Sequence, residues 1–243
     1  MADRISPSLR LQKLVVKACN EYALIENGDK ILIAVSGGKD STCLAWALSR
    51  IKAALKVDYE LLAVHISSDF CACCKKAVLL ERLPDWNIPF EDVFVPIIGR
   101  LKPGRKMNCY WCSTQRRTEL LRYAASHGCY KIALGHHLDD IIETYFMNLL
   151  QKGVAETMQP LLRYTKYPVS LIRPLSFAAE DQVIACADEL GVLKAACTCP
   201  FGAASKRKEI RKKIADLTSD APGAKQRVLG AIIAAHPCAR SFA

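Results

Sequence analysis

The chain has 243 residues, of which 51% are apolar and 24% charged, a balance that excludes an extended disordered chain, a coiled coil and a collagen-like fibre. Lysine and arginine total 34 against 24 acidic residues, a formal charge of +10. That excess favours anionic partners, nucleic acid first among them, because basic side chains release counterions from phosphates.

In chain order, residues 8–26 have helical apolar spacing and Gly28-Asp29 turns the chain, so 1–29 is expected to form an N-terminal helical segment. ILIAV at 31–35 is a continuous β-rich run of the kind buried on both faces of a parallel sheet. A helix is expected over 40–55, a strand over 60–66, a short helix over 75–83 ended by Pro84, and a strand over 92–97. A helix over 113–127, a strand over 130–134, a helix over 138–151 and a last strand within 169–175 follow. Helices near 179–190, 205–217 and 223–235 complete the chain. Strands alternating with helices predict an α/β fold on a doubly wound parallel sheet, with its ligand beyond the carboxyl ends of the strands. The sheet domain is expected over 30–195 and a C-terminal helical appendage over 196–243. The longest apolar runs fall far short of the ~20 residues a membrane span requires. The N-terminus has no apolar secretory core, so a soluble cytoplasmic protein without a membrane partner is expected.

The first strand, ending at Ala34 and Val35, runs straight into Ser36-Gly37-Gly38-Lys39-Asp40-Ser41 and a helix. Glycines let backbone approach a ligand closely, and the free N–H groups at a helix start attract anions. The loop lacks the GxxxxGK[ST] pattern and instead places Asp40 in the first helical turn. A carboxylate beside phosphates is repulsive unless a divalent cation mediates, so Mg²⁺ is expected between Asp40 and the phosphates, with Lys39, Ser36 and Ser41 supplying other polar contacts. This loop resembles the SGGxDS signature of the PP-loop ATPase superfamily. The resemblance implies an adenine nucleotide alpha hydrolase-like, Rossmann-like fold that binds ATP and splits it to AMP and pyrophosphate, usually by adenylating a substrate carbonyl oxygen.

The strand YKIAL ends in Gly135-His136-His137-Leu138-Asp139-Asp140 before another helix, which puts this loop at the same sheet edge. Adjacent carboxylates at a helix start can be simple caps, but the concentration of polar groups favours a site. Asp140 is the first candidate for acid–base or metal work and Asp139 the second, with Gly135 and His136 near the ribose or α-phosphate. His65, at the end of the second strand, is expected to offer its backbone rather than its imidazole to adenine.

Twelve cysteines in a chain read as cytosolic point to metal binding or chemistry rather than a disulfide framework. Cys19, Cys43, Cys129 and Cys186 stand alone in apolar patterns and are expected in the core. Cys109-Tyr110-Trp111-Cys112 is a CxxC just before a helix, and Cys197-Thr198-Cys199 offers further thiolates downstream. Arg116 and Arg117, with the helix start, supply positive potential near Cys112. Three thiolates could hold a [4Fe–4S] cluster with one open iron, and four could hold zinc; spacing leaves both open.

CYWCSTQRR, KIALGHHLDDIIETYFMNLL, LIRPL and the late cysteines together resemble the 2-thiocytidine (TtcA) branch of the PP-loop family, over nearly the whole chain to about residue 215. That resemblance implies an ATP-dependent tRNA sulfurtransferase with a [4Fe–4S] cluster on Cys109, Cys112 and Cys199, Cys197 being the alternative third ligand. Cys199 is followed by Pro-Phe, which is more similar to the related 2-thiouridine (TtuA) enzymes. The Cys71, Cys73 and Cys74 group matches neither pattern. The implied partners are tRNA and a sulfur donor, either sulfide or a cysteine desulfurase product, with a homodimer suggested by the family. Adenylation would make the pyrimidine C2 oxygen a leaving group, with Asp40, Asp140, Asp139, Lys39 and Arg116 as the catalytic set. Lys206, Arg207, Lys208, Arg211, Lys212 and Lys213 are expected to grip the RNA, although a basic helix face is often merely solvated.

Overall fold

The computed structural model describes residues 5–70, 76–193 and 206–235. Its elements are α1 (Pro7–Glu21), β1 (Asp29–Ala34), α2 (Lys39–Arg50), α3 (Lys52–Leu55), β2 (Tyr59–Ser68), α4 (Lys76–Asp85), β3 (Phe90–Val95) and α5 (Cys109–Ser126). They continue with β4 (Lys131–Ala133), α6 (Leu138–Lys152), β5 (Leu161–Arg163), β6 (Ser170–Ile172), α7 (Glu180–Glu189), α8 (Lys206–Thr218) and α9 (Ala224–Ala235). The strands form one sheet in the order β3-β2-β1-β4-β6-β5, parallel except for β5.

The central strand explains the layering. Ile31, Leu32 and Ile33 are all fully buried, and strand alternation sends them to opposite faces. Ile31 and Ile33 join a core with Leu11 and Val15 of α1, Leu44 and Leu48 of α2, and Val183 of α7. Leu32 joins a second core with Leu121 and Ala124 of α5. Cys19, Cys43, Cys129 and Cys186 are buried, as their apolar contexts led one to expect. A third cluster seals α8 and α9 against α6, with Ile210, Ile214 and Leu229 packed on Leu138, Ile141 and Ile142.

Four elements differ from the sequence reading. The helix expected over 40–55 breaks at Ile51 into α2 and α3, and α3 closes with Lys56 in a left-handed conformation (φ 57°). Pro84 does not end the helix at residue 83 but lies inside α4, one residue before the helix stops at Asp85. The CxxC is not ahead of a helix but in its first turn, because Asn108 accepts a hydrogen bond from Trp111 N–H at 2.8 Å and caps α5 there. Finally, β5 precedes the strand expected as the last one. It is a three-residue antiparallel edge strand, too short to show a period.

Strand order reverses between β1 and β4. The crevice beyond the carboxyl ends of those two strands is where ligands bind in open α/β sheets. SGGKDS follows β1, and the histidine–aspartate loop follows β4.

Candidate active site at the ends of the first and fourth strands

Gly37 takes a left-handed φ of 71°, which releases the chain from β1 into the start of α2. Ser41 Oγ accepts from Ser36 N–H at 3.0 Å and donates to the Gly38 carbonyl at 3.2 Å, while Ser36 Oγ accepts from Gly38 N–H at 3.3 Å. The two serines thus shape the loop from within. No side chain among the described residues caps α2, so its first N–H groups remain available to an anion.

The second loop lies directly against this helix start. A Cβ added to Gly135 would stand 2.9 Å from the Ser41 backbone nitrogen and 3.0 Å from the Asp40 carbonyl carbon. Only glycine permits that approach. Asp40, His137 and Asp140 meet there: His137 Nε2 lies 3.9 Å from Asp40 Oδ1 and 3.5 Å from Asp140 Oδ2. His137 is buried, and both its Nδ1 and Asp40 Oδ1 have no hydrogen-bond partner among the described residues, although Lys39 Nζ stands 3.0 Å from Asp40 Oδ1. Lys39 Nζ also donates to Glu180 Oε1 at 3.1 Å. Burial alone would lower the Lys39 pKa, but Asp40 and Glu180 outweigh it and hold the ammonium above its ordinary value.

The two aspartates of the second loop have different fates. Asp140 Oδ2 accepts from His137 N–H at 3.2 Å, which is a cap, while Oδ1 receives Arg207 Nη1 at 3.1 Å. Asp139 has both oxygens engaged away from the crevice: Oδ2 accepts from Glu180 N–H at 2.7 Å and Oδ1 from Lys225 Nζ at 2.5 Å. Burial opposes its ionisation, yet Lys225 and that N–H keep its pKa below the ordinary value. Asp139 therefore ties α7 and α9 to α6, while its Oδ2 stays 3.8 Å from His137 Nδ1.

Beside these loops opens a cavity of about 310 Å³, lined by Ala34, Val35 and Ser36, by His65 and Ile66 of β2, by Leu134 and His136, and by Ser113, Arg116 and Arg117 of α5. Its mostly apolar wall with a few polar groups suits a purine nucleoside. His65 Nδ1 lies 2.8 Å from the Val35 carbonyl oxygen, and burial lowers its pKa. The ring is thus neutral, donates through Nδ1 and braces β1 against β2. His136 accepts from Arg173 Nε through Nδ1 at 3.4 Å, and burial, with Arg173 second, pushes its pKa down to about 4. Arg116 donates to Ser68 Oγ at 3.5 Å, while its Nε is buried without a partner among the described residues.

The CxxC thiols stand one turn before the cavity-lining part of α5. Cys109 is exposed and Cys112 partly exposed. Their i, i+3 spacing puts both on one side of the helix, and their soft donor chemistry suits an iron–sulfur centre. Cys197 and Cys199 lie outside the described residues, as do Cys71, Cys73 and Cys74.

The basic run on α8 divides. Lys212 and Lys213 are exposed, consistent with contact to an external polyanion. Arg207 and Arg211 turn inward onto α6 and α7: Arg211 Nε donates to Glu143 Oε1 at 2.5 Å, and its Nη1 lies 3.2 Å from Glu180 Oε2. Of the side chains of Lys206 and Lys208 nothing is described. Glu143 and Glu180 are the site-edge carboxylates that sequence reasoning missed. Glu143 falls one turn after Asp140 in the same helix, a spacing that could have pointed to it.

Comparison with known proteins agrees with this architecture. A PP-loop domain family model matches residues 7–215. The tRNA-cytidine(32) 2-sulfurtransferase of Anaeromyxobacter dehalogenans strain 2CP-C is 33% identical over 92% of this chain and 78% of its own. That of Syntrophotalea carbinolica is 32% identical over 92% and 88%. Among solved structures, the U34-tRNA thiolase NcsA of Methanococcus maripaludis, determined with its [4Fe–4S] cluster, superposes with a TM-score of 0.77 at 23% identity, covering 93% of this chain and 78% of that one. With its SGGKDS loop at the strand-order switch and the domain matched over most of its length, the chain belongs to the PP-loop family.

Proposed function

We propose that the protein is an ATP-dependent tRNA sulfurtransferase that replaces the C2 oxygen of a pyrimidine, cytidine first, with sulfur. The observation that carries this reading is the shared cavity: the anion-binding loop after β1 and the helix bearing the CxxC line the same space. The named function of relatives at 32–33% identity supports it.

A pyrimidine C2 oxygen is a poor leaving group. Attack of that oxygen on the α-phosphorus of ATP forms a C–O–P link and expels pyrophosphate; a sulfur nucleophile then adds at C2 and AMP departs with the oxygen. This chain's residues supply position and electrostatics. The α2 N-terminus and Lys39 face the phosphates, and Ser36 and Ser41 fix the loop. The wall from Ala34 to His65 holds the nucleoside. The neutral His136, kept so by burial and Arg173, offers no proton to compete with the base. Arg116 and Arg117 add positive charge between cavity and thiols.

Hard carboxylate oxygens on Asp40 and Asp140 fit Mg²⁺, which would neutralise phosphate charge there. Cys109 and Cys112, with Cys199 or Cys197 as the third thiolate, would hold a [4Fe–4S] cluster, which supplies a site where sulfide is kept deprotonated. A sulfide-level donor, free or delivered by a cysteine desulfurase, is the second partner. Among the described residues no helix is long and apolar enough to cross a membrane.

The test is nucleoside mass spectrometry of tRNA incubated with oxygen-free protein, ATP and sulfide. Wild type is expected to yield 2-thiocytidine and Cys109→Ala none, while Cys109→Ala still binds ATP. Thiolated uridine in place of cytidine would move the substrate assignment, and thiolation by Cys109→Ala equal to wild type would refute the role of the CxxC.

A further inference from the structure

Resting on the ATP-using function above, we propose that Arg207 is a phosphate-binding residue of the nucleotide site, delivered by α8, and that Asp140 holds its guanidinium until nucleotide arrives. A basic run on a C-terminal helix suggests RNA contact, but Arg207 does not point to solvent. Ile210 and Ile214 seat α8 on α6, and Arg207 rises beside that stripe to place Nη1 3.1 Å from Asp140 Oδ1 and Nη2 3.2 Å from Thr144 Oγ1.

Charge connectivity carries the inference further. Asp140 Oδ2 lies 3.5 Å from His137 Nε2, which in turn lies 3.9 Å from Asp40 Oδ1 in the phosphate loop. From the other side, Lys39 bonds Glu180 at 3.1 Å, and Glu180 approaches Arg211 at 3.2 Å. On that second path carboxylates and cations alternate from the start of α2 to α8. Independently, the positive charge of Arg207 is one of the forces depressing the His136 pKa, and His136 lines the cavity. Its field therefore reaches the wall of that cavity, which Ser36 of the phosphate loop also lines.

The imbalance of the crevice explains the need. Asp40, Asp140, Glu143 and Glu180 surround it, and Lys39 is already shared between Asp40 and Glu180. A polyphosphate entering this edge requires another cation. Arg207 keeps 38% of its side chain exposed, uses Nη1 and Nη2 once each and holds Nε 3.7 Å from Glu143 Oε2, so the second N–H of each terminal nitrogen remains for phosphate oxygens. Arg211 differs: its short bond to the buried Glu143 makes it the anchor of α8. Exchange of Asp140 for phosphate would free the carboxylate when the substrate is in place.

The experiment measures dissociation constants of ATP, AMP and adenosine by calorimetry on the full chain, for wild type, Arg207→Ala, Arg207→Lys and Arg211→Ala. Arg207→Ala is expected to weaken ATP ~10–100-fold, the effect of losing a charge-assisted contact, and to leave AMP and adenosine within about twofold. Arg207→Lys, which keeps the charge but loses the fork, is expected to fall between. Arg211→Ala should lower Tm and keep the ATP-to-AMP ratio. Equal weakening of all three ligands by Arg207→Ala, or a loss confined to tRNA affinity, would overturn the proposal. Wild type that binds ATP no better than AMP would do the same. Loss of ATP selectivity in Arg207→Ala, with wild type forming no thionucleoside, would refute the thiolation reading and leave this one standing.

Discussion

The two ends of β4 are built from similar residues to opposite effect. At the amino end, Lys131, whose side chain is 11% exposed, donates to Glu26 Oε2 at 2.9 Å and to Asp29 Oδ2 at 2.7 Å. There a cation is matched by two carboxylates, and Asp29 Oδ2 accepts from Glu26 N–H as well. At the carboxyl end the cations are divided: Lys39 Nζ is shared between Asp40 Oδ1 at 3.0 Å and Glu180 Oε1 at 3.1 Å, Glu143 Oε2 lies 3.7 Å from Arg207 Nε, and the buried His137 Nδ1 has no hydrogen-bond partner among the described residues. A satisfied cluster stabilises a fold; one that carries unmet polar atoms costs stability and is retained where a ligand meets them. The same strand thus carries a structural clasp below and the candidate site above.

The sharpest way to break this contrast is at the upper end. Asp40→Ala is expected to slow ATP conversion to AMP and pyrophosphate in the presence of tRNA by ~10²–10³-fold, with Tm close to the wild-type value, because the part-exposed Asp40–Lys39 pair at 3.0 Å adds little stability. A large fall in Tm would place Asp40 with the structural clasp instead. Next in size, Gly135→Ala forces the two loops apart and should weaken ATP binding at least ~10-fold and destabilise by ~1–3 kcal/mol; unchanged ATP affinity would show that the loop contact is not needed for the nucleotide. At the lower end, Lys131→Met is expected to cost ~1–3 kcal/mol, less than a fully buried pair because Glu26 is 69% exposed, and to leave ATP turnover per folded molecule unchanged.

The pH dependences sharpen the comparison further, with smaller effects. Hydrogen bonding and charge from Lys131 hold the Glu26 pKa below its ordinary 4.5. Its contribution to stability is therefore complete above that value and fades as pH falls through the folded pKa. Lys131→Met should flatten that acid limb in chemical denaturation. His136 works in the other direction: folding lowers its pKa from 6.5 to about 4, so between these values the unfolded chain binds the extra proton and stability rises with pH. His136→Asn should remove that slope between pH 4 and 6.5. An undiminished slope would mean that another group carries it.

Much of this was legible in the sequence, and the exceptions share a cause. ILIAV, buried on both faces, had to be a central strand, and SGGKDS between strand and helix had to face the sheet edge. The four core cysteines followed from their apolar neighbours. The tie made by Asp139 did not follow, because its partners, Glu180 and Lys225, come from helices 41 and 86 residues away; sequence ranks Asp140 ahead of Asp139 but cannot show that Asp139 joins three helices. Arg207 and Arg211 looked like a solvated or RNA-facing run because only packing through Ile210 and Ile214 reveals which cations turn inward. β5 has three residues and no period, and Asn108 is not evident as a cap because the apolar pattern starts the expected helix at 113, five residues beyond it.

The central claim is that ATP makes the C2 oxygen of a tRNA pyrimidine the leaving group at this sheet edge. It is tested most directly with tRNA carrying ¹⁸O at C2 of its cytidines, incubated with oxygen-free protein, ATP and sulfide. The account predicts one ¹⁸O in AMP for each thionucleoside formed. Thionucleoside formed with unlabelled AMP, and the ¹⁸O recovered in water or pyrophosphate, would contradict it.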